Sequence, residues 1–241
     1  MQITHYDFKA PVNRPVRAAF VADTHDRPYE KIVKEIRANN VDLILMTGDI
    51  IYSHEACIER SFDMLSEFVS IAPTYMSLGN HESCAVSLVR NKCKEIGVKL
   101  LDDAYEEFEG IFIGGLTSGY IAHREGLKKN HWRKTPEPNL AWLKDFSSLP
   151  VYKVLLNHHP EYYPEYINNL DIDLVLSGHA HGGQWRLFGM GLFAPGQGLF
   201  PKYTSGIHDS RLIVSRGLAN NAHLIPRLFN SKELIFIDFH K

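Results

Sequence analysis

Residues 16–25 read Val16-Arg17-Ala18-Ala19-Phe20-Val21-Ala22-Asp23-Thr24-His25, an apolar and β-branched run that ends abruptly in Asp23 and His25. A short, nearly continuous apolar run is the pattern of a strand buried on both faces. The next segment, Tyr29 to Asn39, sets Ile32, Val33 and Ile36 on one helical stripe and ends in Asn39-Asn40. The order of buried strand, polar residues and amphipathic helix then recurs. Leu43 to Met46 is followed by Gly48-Asp49 and a helical pattern from Cys57 to Val69, with Ile58, Phe62, Leu65, Phe68 and Val69 on one face. Thr74 to Leu78 is followed by Gly79-Asn80-His81-Glu82 and a helix from Ala85 to Ile96, stopped by Gly97.

Beyond residue 100 the pattern turns strand-rich. Phe108 to Gly114, Val151 to Leu156, Leu174 to Leu176, Leu212 to Val214 and Leu234 to Phe239 read as strands, and Leu140 to Phe146 as a helix. Two of these strands also end in chemistry: Asn157-His158-His159-Pro160 and Gly178-His179-Ala180-His181-Gly182. Alternating strands and helices followed by strands predict an α/β (α+β) layered fold. No linker composition interrupts the chain, so residues 1–241 are read as a single domain.

Composition narrows the function classes. The chain is 44% hydrophobic and 22% charged, which is ordinary for a soluble globular protein. A net charge of −2 argues against a general nucleic-acid binder. Three cysteines, Cys57, Cys84 and Cys93, are too few and too scattered for a disulfide framework or a thiolate metal site, and they fit a reducing, cytoplasmic compartment. The first residues lack the basic start and apolar run of a signal peptide, and no apolar run is long enough to span a bilayer.

The five polar segments share one placement, the carboxyl end of a strand, where open α/β sheets build their ligand sites. Together they offer Asp23, His25, Asp49, Asn80, His158, His179 and His181, a mixed oxygen and nitrogen donor set without thiolate. Such a set suits Mn, Fe, Zn or Co, not Ca. Seven donors exceed one tetrahedral ion and suit two divalent ions sharing a carboxylate, roughly 3.5–4 Å apart, the arrangement that clamps an in-line displacement at phosphorus. Asp23 and His25, two residues apart in an extended segment, point the same way.

These five segments, in their order and approximate spacing over residues 18–183, resemble the calcineurin-like metallophosphoesterase family. Gly178-His-Ala-His-Gly-Gly-Gln, Ala194-Pro-Gly-Gln-Gly-Leu-Phe-Pro-Lys-Tyr and Ser215-Arg-Gly-Leu narrow the resemblance to a bacterial phosphodiesterase branch that includes enzymes similar to the UDP-diacylglucosamine pyrophosphatase. The resemblance implies a four-layer α/β/β/α sandwich of two mixed sheets flanked by helices. It implies that Asp23, His25 and His181 hold one metal, that Asp49 bridges, and that Asn80, His158 and His179 hold the other. On the same resemblance His81 would contact the phosphate and protonate the leaving oxygen. His158 rather than His159 is the ligand, because Pro160 sets the family's H-x-P register. One departure stands out: Gly48-Asp49-Ile50-Ile51-Tyr52 lacks the second Asp that protein phosphatases use to orient the catalytic His. A protein phosphatase role is therefore disfavoured, and His81 is left without an evident orienting partner; Glu82 is adjacent.

The implied function is a dinuclear phosphodiesterase or pyrophosphatase using a metal-bridging hydroxide on a phosphorylated small-molecule or lipid-linked substrate. The alternatives are a broad phosphomonoesterase and a non-catalytic, metal-stabilised binding module. No specific nucleic acid or obligate protein partner is implied. Two irregular stretches remain. Residues 117–138 carry Arg124, Lys128, Lys129, Arg133 and Lys134, read as a solvated face or a clamp for an anion. Residues 188–210 carry Phe188, Leu192, Phe193, Leu199, Phe200 and Tyr203, read either as a self-packed loop or as an apolar rim for peripheral membrane contact. His5, His54, His208, His223 and His240 read as surface residues, His159 as structural, and Cys84 and Cys93 as core.

Overall fold

Alternate residues of strand β2 (Val16–Val21) enter different layers. Val16, Ala18 and Phe20 join one apolar cluster, and Ala19 and Val21 join another, because successive strand side chains point to opposite faces. The computed structural model describes residues 1–52, 58–122, 135–219 and 226–241. The remaining strands are β1 (Gln2–Lys9), β3 (Leu43–Met46), β4 (Thr74–Met76), β5 (Lys99–Leu100), β6 (Ala104–Phe108), β7 (Ile111–Leu116), β8 (Lys153–Asn157) and β9 (Leu174–Ser177). After these come two small hairpins, β10 (Arg186–Leu187) with β11 (Met190–Gly191) and β12 (Phe193–Ala194) with β13 (Gly198–Leu199), then β14 (Gly206–His208), β15 (Leu212–Val214) and β16 (Glu233–His240). The helices are α1 (Glu30–Ala38), α2 (Ile58–Ile71), α3 (Val86–Ile96), a single turn α4 (Gly119–Ala122) and α5 (Leu140–Ser147).

Two six-stranded sheets result, in the orders β1-β16-β2-β3-β4-β5 and β14-β15-β9-β8-β7-β6. In the first, β2 to β5 are parallel and β16 is antiparallel to β2; in the second, β7, β8, β9 and β15 are parallel between antiparallel edges. Three apolar clusters separate four layers. Phe20, Leu45, Ile235 and Ile237 meet Ile113, Val154, Leu156 and Leu176 between the sheets. Ile36, Leu65, Phe68 and Val89 of the helices pack on Ile44, Met46 and Phe236. Leu143 and Phe146 of α5, with Tyr162, Tyr163 and Ile167, cover Leu155 and Val175. This is the expected four-layer sandwich of two mixed sheets flanked by helices.

Two features depart from the sequence reading. The expected strand over Phe108 to Gly114 is in fact a hairpin of β6 and β7: Glu109 and Gly110, at φ 51° and 90°, form a two-residue turn with both residues left-handed. Strand β1 was not anticipated, because an edge strand alternating between exposed and half-buried residues lacks the apolar run that marks a central strand. Gly97 ends α3 at φ 95°, its N–H donating to the Cys93 carbonyl oxygen at 2.9 Å, as anticipated. The basic residues of the 117–138 stretch, together with His54, Cys57 and His223, lie outside the described residues.

Candidate metal centre

All five polar segments leave the carboxyl ends of parallel strands, three from the first sheet and two from the second. Their convergence is fastened by main-chain bonds: Asp23 N–H donates to the Gly48 carbonyl oxygen at 3.3 Å and His25 N–H to the Asp49 carbonyl oxygen at 3.1 Å. The approach of the β3 and β4 ends needs glycine on both sides. A Cβ on Gly48 would lie 2.2 Å from Gly79 N, and one on Gly79 would lie 2.3 Å from Asp49 Oδ1. Asp23, His25, Asp49, His179 and His181 all adopt left-handed backbone, with φ of 53°, 47°, 52°, 63° and 46°. Asp and His tolerate this region better than most residues. Five such positions at about 1 kcal/mol or more each are still costly against ordinary stabilities of about 5–15 kcal/mol. Strain concentrated on the candidate ligands is a mark of function.

The histidine tautomers follow from geometry. His158 Nδ1 lies 2.8 Å from the Thr47 carbonyl oxygen, which can only accept, so Nδ1 carries the proton. In the neutral ring Nε2 is then a bare lone pair. It faces Asn80 Oδ1 at 3.0 Å, Asp49 Oδ2 at 3.2 Å and His179 Nδ1 at 3.2 Å. His25 repeats the arrangement: Nδ1–H donates to the Ile51 carbonyl oxygen at 3.2 Å, and Nε2 faces His181 Nε2 at 3.4 Å and Asp49 Oδ2 at 3.8 Å. Lone pairs therefore outnumber protons at the centre of a buried cluster, and that arrangement calls for cations. Ligand atoms of Asp23, His25 and His181 lie within 4.8 Å of one another, as do those of Asp23, Asp49 and His158, and of His25, Asp49 and His81. Among the described residues, buried His181 Nδ1 finds no hydrogen-bond partner. All seven sequence-predicted ligands thus meet at one place, with Asp49 between the two groups, and their chemistry fits two divalent ions. Imidazoles fixed by a main-chain carbonyl on the far nitrogen are the usual form of metal-binding histidine.

Electrostatics agree with that fit. Burial holds His25 down to about 3 and keeps His159, His179 and His181 well below the usual imidazole range, so these rings are neutral. Burial opposes charge on Asp49, but His158, His81 and His25 outweigh it and hold the carboxyl well below its usual range. Burial also opposes charge on His158, yet Asp49, Asp23 and Glu82 drive it up to about 9, so a proton competes for the nitrogen a cation would use. The Asp23 carboxyl is pushed up to about 6, chiefly by burial.

The structure supplies the orienting partner of His81 that the sequence lacked. His81 Nδ1–H donates to the main-chain carbonyl oxygen of Tyr52 at 2.5 Å, and the Tyr52 ring stacks on the imidazole at 5.4 Å between centroids. Glu82 points away from His81 and serves the backbone. Its carboxylate accepts from the N–H groups of Asp49, Ile50 and Gly79, each at 2.8 Å, and of Ile51 at 3.4 Å. Ligand atoms of His158, His159 and His179 form a fourth group within 4.8 Å of one another, but His159 Nε2 lies 2.7 Å from Ser118 Oγ and its Nδ1 faces Glu161 at 3.2 Å. Glu161, unnoticed in the sequence, also stands 3.8 Å from His179 Nε2 and accepts from Thr135 Oγ1. Only its adjacency to the Asn157–Pro160 segment could have signalled it.

A family model described as calcineurin-like phosphoesterase matches residues 16–183. The chain is 30% identical to an uncharacterized metallophosphoesterase of Campylobacter jejuni, over 80% of this chain and 49% of that protein. It is 25% identical to the phosphodiesterase YaeI of Escherichia coli, over 86% of this chain and 76% of that one. A dimetal phosphatase from Danio rerio shares the fold, with a TM-score of 0.53 and 15% identity over 84% of this chain and 87% of that chain. The chain spans about half the length of the Campylobacter relative, and 39% of one from Helicobacter pylori.

Proposed function

The chain belongs to the calcineurin-like phosphoesterase family, and from that premise we propose that it is a metal-dependent hydrolase of phosphodiesters or phosphoanhydrides, with residues 1–241 acting as one such domain. Asp23, His25 and His181 would hold one divalent cation, Asn80, His158 and His179 a second, and Asp49 would serve both. Manganese, iron, zinc or cobalt suits this donor set. Bound cations supply Lewis acidity, bringing the pKa of water towards neutrality and neutralising charge on the phosphate oxygens. The rest is done by the chain. Asp49, tied by its Oδ1 to His81 N–H at 2.9 Å, keeps its charge in the middle of the cluster. His81 is the histidine that reaches a substrate: its side chain is 24% exposed, against 0% for His25 and His158. With Nδ1–H committed to Tyr52, it turns Nε2 towards the leaving oxygen, and in the imidazolium form that nitrogen delivers the proton. The cytoplasmic placement read from the sparse cysteines stays part of this reading.

The observation that carries the reading is the excess of lone pairs over protons around His158 Nε2. Its test is turnover of bis(p-nitrophenyl) phosphate and p-nitrophenyl phosphate by the chain loaded with manganese, with metal content measured in parallel. Two metals per chain and preference for the diester are expected. Preference for the monoester would replace this reading with a phosphomonoesterase, and metal binding without turnover of either would leave a binding module.

A further inference from the structure

The three most exposed phenylalanines among the described residues are Phe188, Phe229 and Phe200, at 97%, 84% and 75% exposure. All three also sit in left-handed backbone, with φ of 50°, 52° and 51°. Neither property helps folding. A bulky L-residue is strained at positive φ, where glycine or asparagine would be favoured, and an aromatic ring in water forgoes its hydrophobic gain. Phe188 and Gly189, at φ 50° and 82°, join β10 to β11 as a two-residue turn, a position that asparagine-glycine fills best. Leu199, Met190 and Leu187 extend the patch, at 74%, 63% and 48% exposure.

The patch is held rigidly beside the metal centre. Asn230 Nδ2 donates to the carbonyl oxygens of His181 at 2.7 Å and Gln184 at 3.1 Å, which pins the Phe229 turn to a candidate ligand. Arg186 N–H donates to the Leu228 carbonyl oxygen at 3.0 Å, binding the same turn to β10. Leu192 N–H donates to Gly183 and Phe200 N–H to Leu192, at 3.1 and 2.9 Å. A cavity of about 340 Å³ opens between Phe188 and Phe229, walled by Arg186, Leu187 and Gly189. Charge identifies the occupant. Residues 184–205 carry half-buried Arg186 and exposed Lys202, residues 228–232 carry half-buried Lys232, and neither segment holds an Asp or Glu, in a chain whose net charge is −2. Rigid aromatic tips with local cations and no carboxylate of their own segments match a lipid–water interface bearing anionic headgroups, where rings enter the acyl boundary and each exposed cation adds electrostatic attraction.

We propose that the turns carrying Phe188, Phe200 and Phe229 form a docking surface for an anionic membrane, with the metal centre at its margin. This goes beyond the reaction proposed above; for that reaction it implies a phosphoester presented at the lipid–water interface. The test is co-sedimentation of the full chain with phosphatidylcholine vesicles, with and without phosphatidylglycerol, for the wild type and for Phe188→Asn, Phe200→Asn and Phe229→Asn, singly and combined. Wild type should pellet with the phosphatidylglycerol vesicles, and each substitution should weaken binding about tenfold or more. Because asparagine suits left-handed backbone, the variants should melt no lower than wild type and should keep their turnover of a soluble diester. A second readout needs no change at the patch: with Trp132 and Trp142 replaced by Phe, Trp185 fluorescence should be quenched by brominated lipid. Wild type remaining in the supernatant, an unquenched Trp185, or a triple variant that pellets like wild type would overturn the proposal. So would self-association of the wild type that the triple variant loses without any vesicle binding, which would make a second copy the occupant. Vesicle binding without turnover of any soluble ester would defeat the proposed reaction and leave this surface standing.

Discussion

Replacing Glu82 tests whether the metal centre is held in place by a carboxylate that touches no candidate metal position. Glu82 is fully buried and accepts three main-chain N–H bonds at 2.8 Å, from Asp49, Ile50 and Gly79, plus a longer one from Ile51 at 3.4 Å. Burial pushes this carboxyl up to about 7, with Asp49 adding to the rise. Measurements at about pH 8 therefore present the four donors with a carboxylate, the form they match. Glu82→Ala strands the three short donors at about 1–3 kcal/mol each, less whatever water or collapse recovers, so a loss of about 3 kcal/mol or more is expected. Glu82→Gln keeps one accepting oxygen but turns an NH2 group towards two N–H donors, for a loss of about 2–4 kcal/mol. The affected donors lie on the turns that carry Asp49 and Asn80, so metal affinity should fall together with stability. Urea unfolding gives the first quantity and titration calorimetry with manganese the second. If Glu82→Gln unfolds within about 0.5 kcal/mol of wild type, the range of an ordinary surface substitution, and binds metal as tightly, the clamp has no such role.

Asp49→Ala should lose both metals and all turnover, whereas His81→Ala should retain metal and lose about 10²–10⁴ in rate, which metal analysis alongside diester kinetics would establish; full metal content in the Asp49 variant contradicts its shared position. Metal binding should also release protons. His158 is raised to about 9 by Asp49, Asp23 and Glu82 against its own burial, so below that pH a cation must displace a proton, and affinity should weaken as pH falls. Calorimetry in buffers of different ionisation enthalpy near neutral pH should show about one proton leaving with the ion at His158, and buffer-independent heats would refute the assignment.

Much of this protein was legible in order of residues alone. Central strands buried on both faces are almost wholly apolar, so β2, β3, β9 and β15 declared themselves, and the stripes of α1 and α2 matched the faces they bury. The candidate donors stood out because metal chemistry admits few residue types and parallel sheets expose them at one end. Tertiary structure decided what has no signature in residue type. The partner of His81 is a main-chain carbonyl, which every residue possesses, so no reading of Tyr52 could have assigned it. Glu82 was visible beside His81, but which way its carboxylate turns depends on how closely the β3 and β4 ends approach. The 188–210 stretch allowed a self-packed loop or an apolar rim for membrane contact, and residue type could not say which side chains are covered: Tyr203 is buried, while Phe188 and Phe200 stand in solvent. Apolar character reveals that a side chain gains by burial; only the path of the backbone reveals whether this chain can bury it.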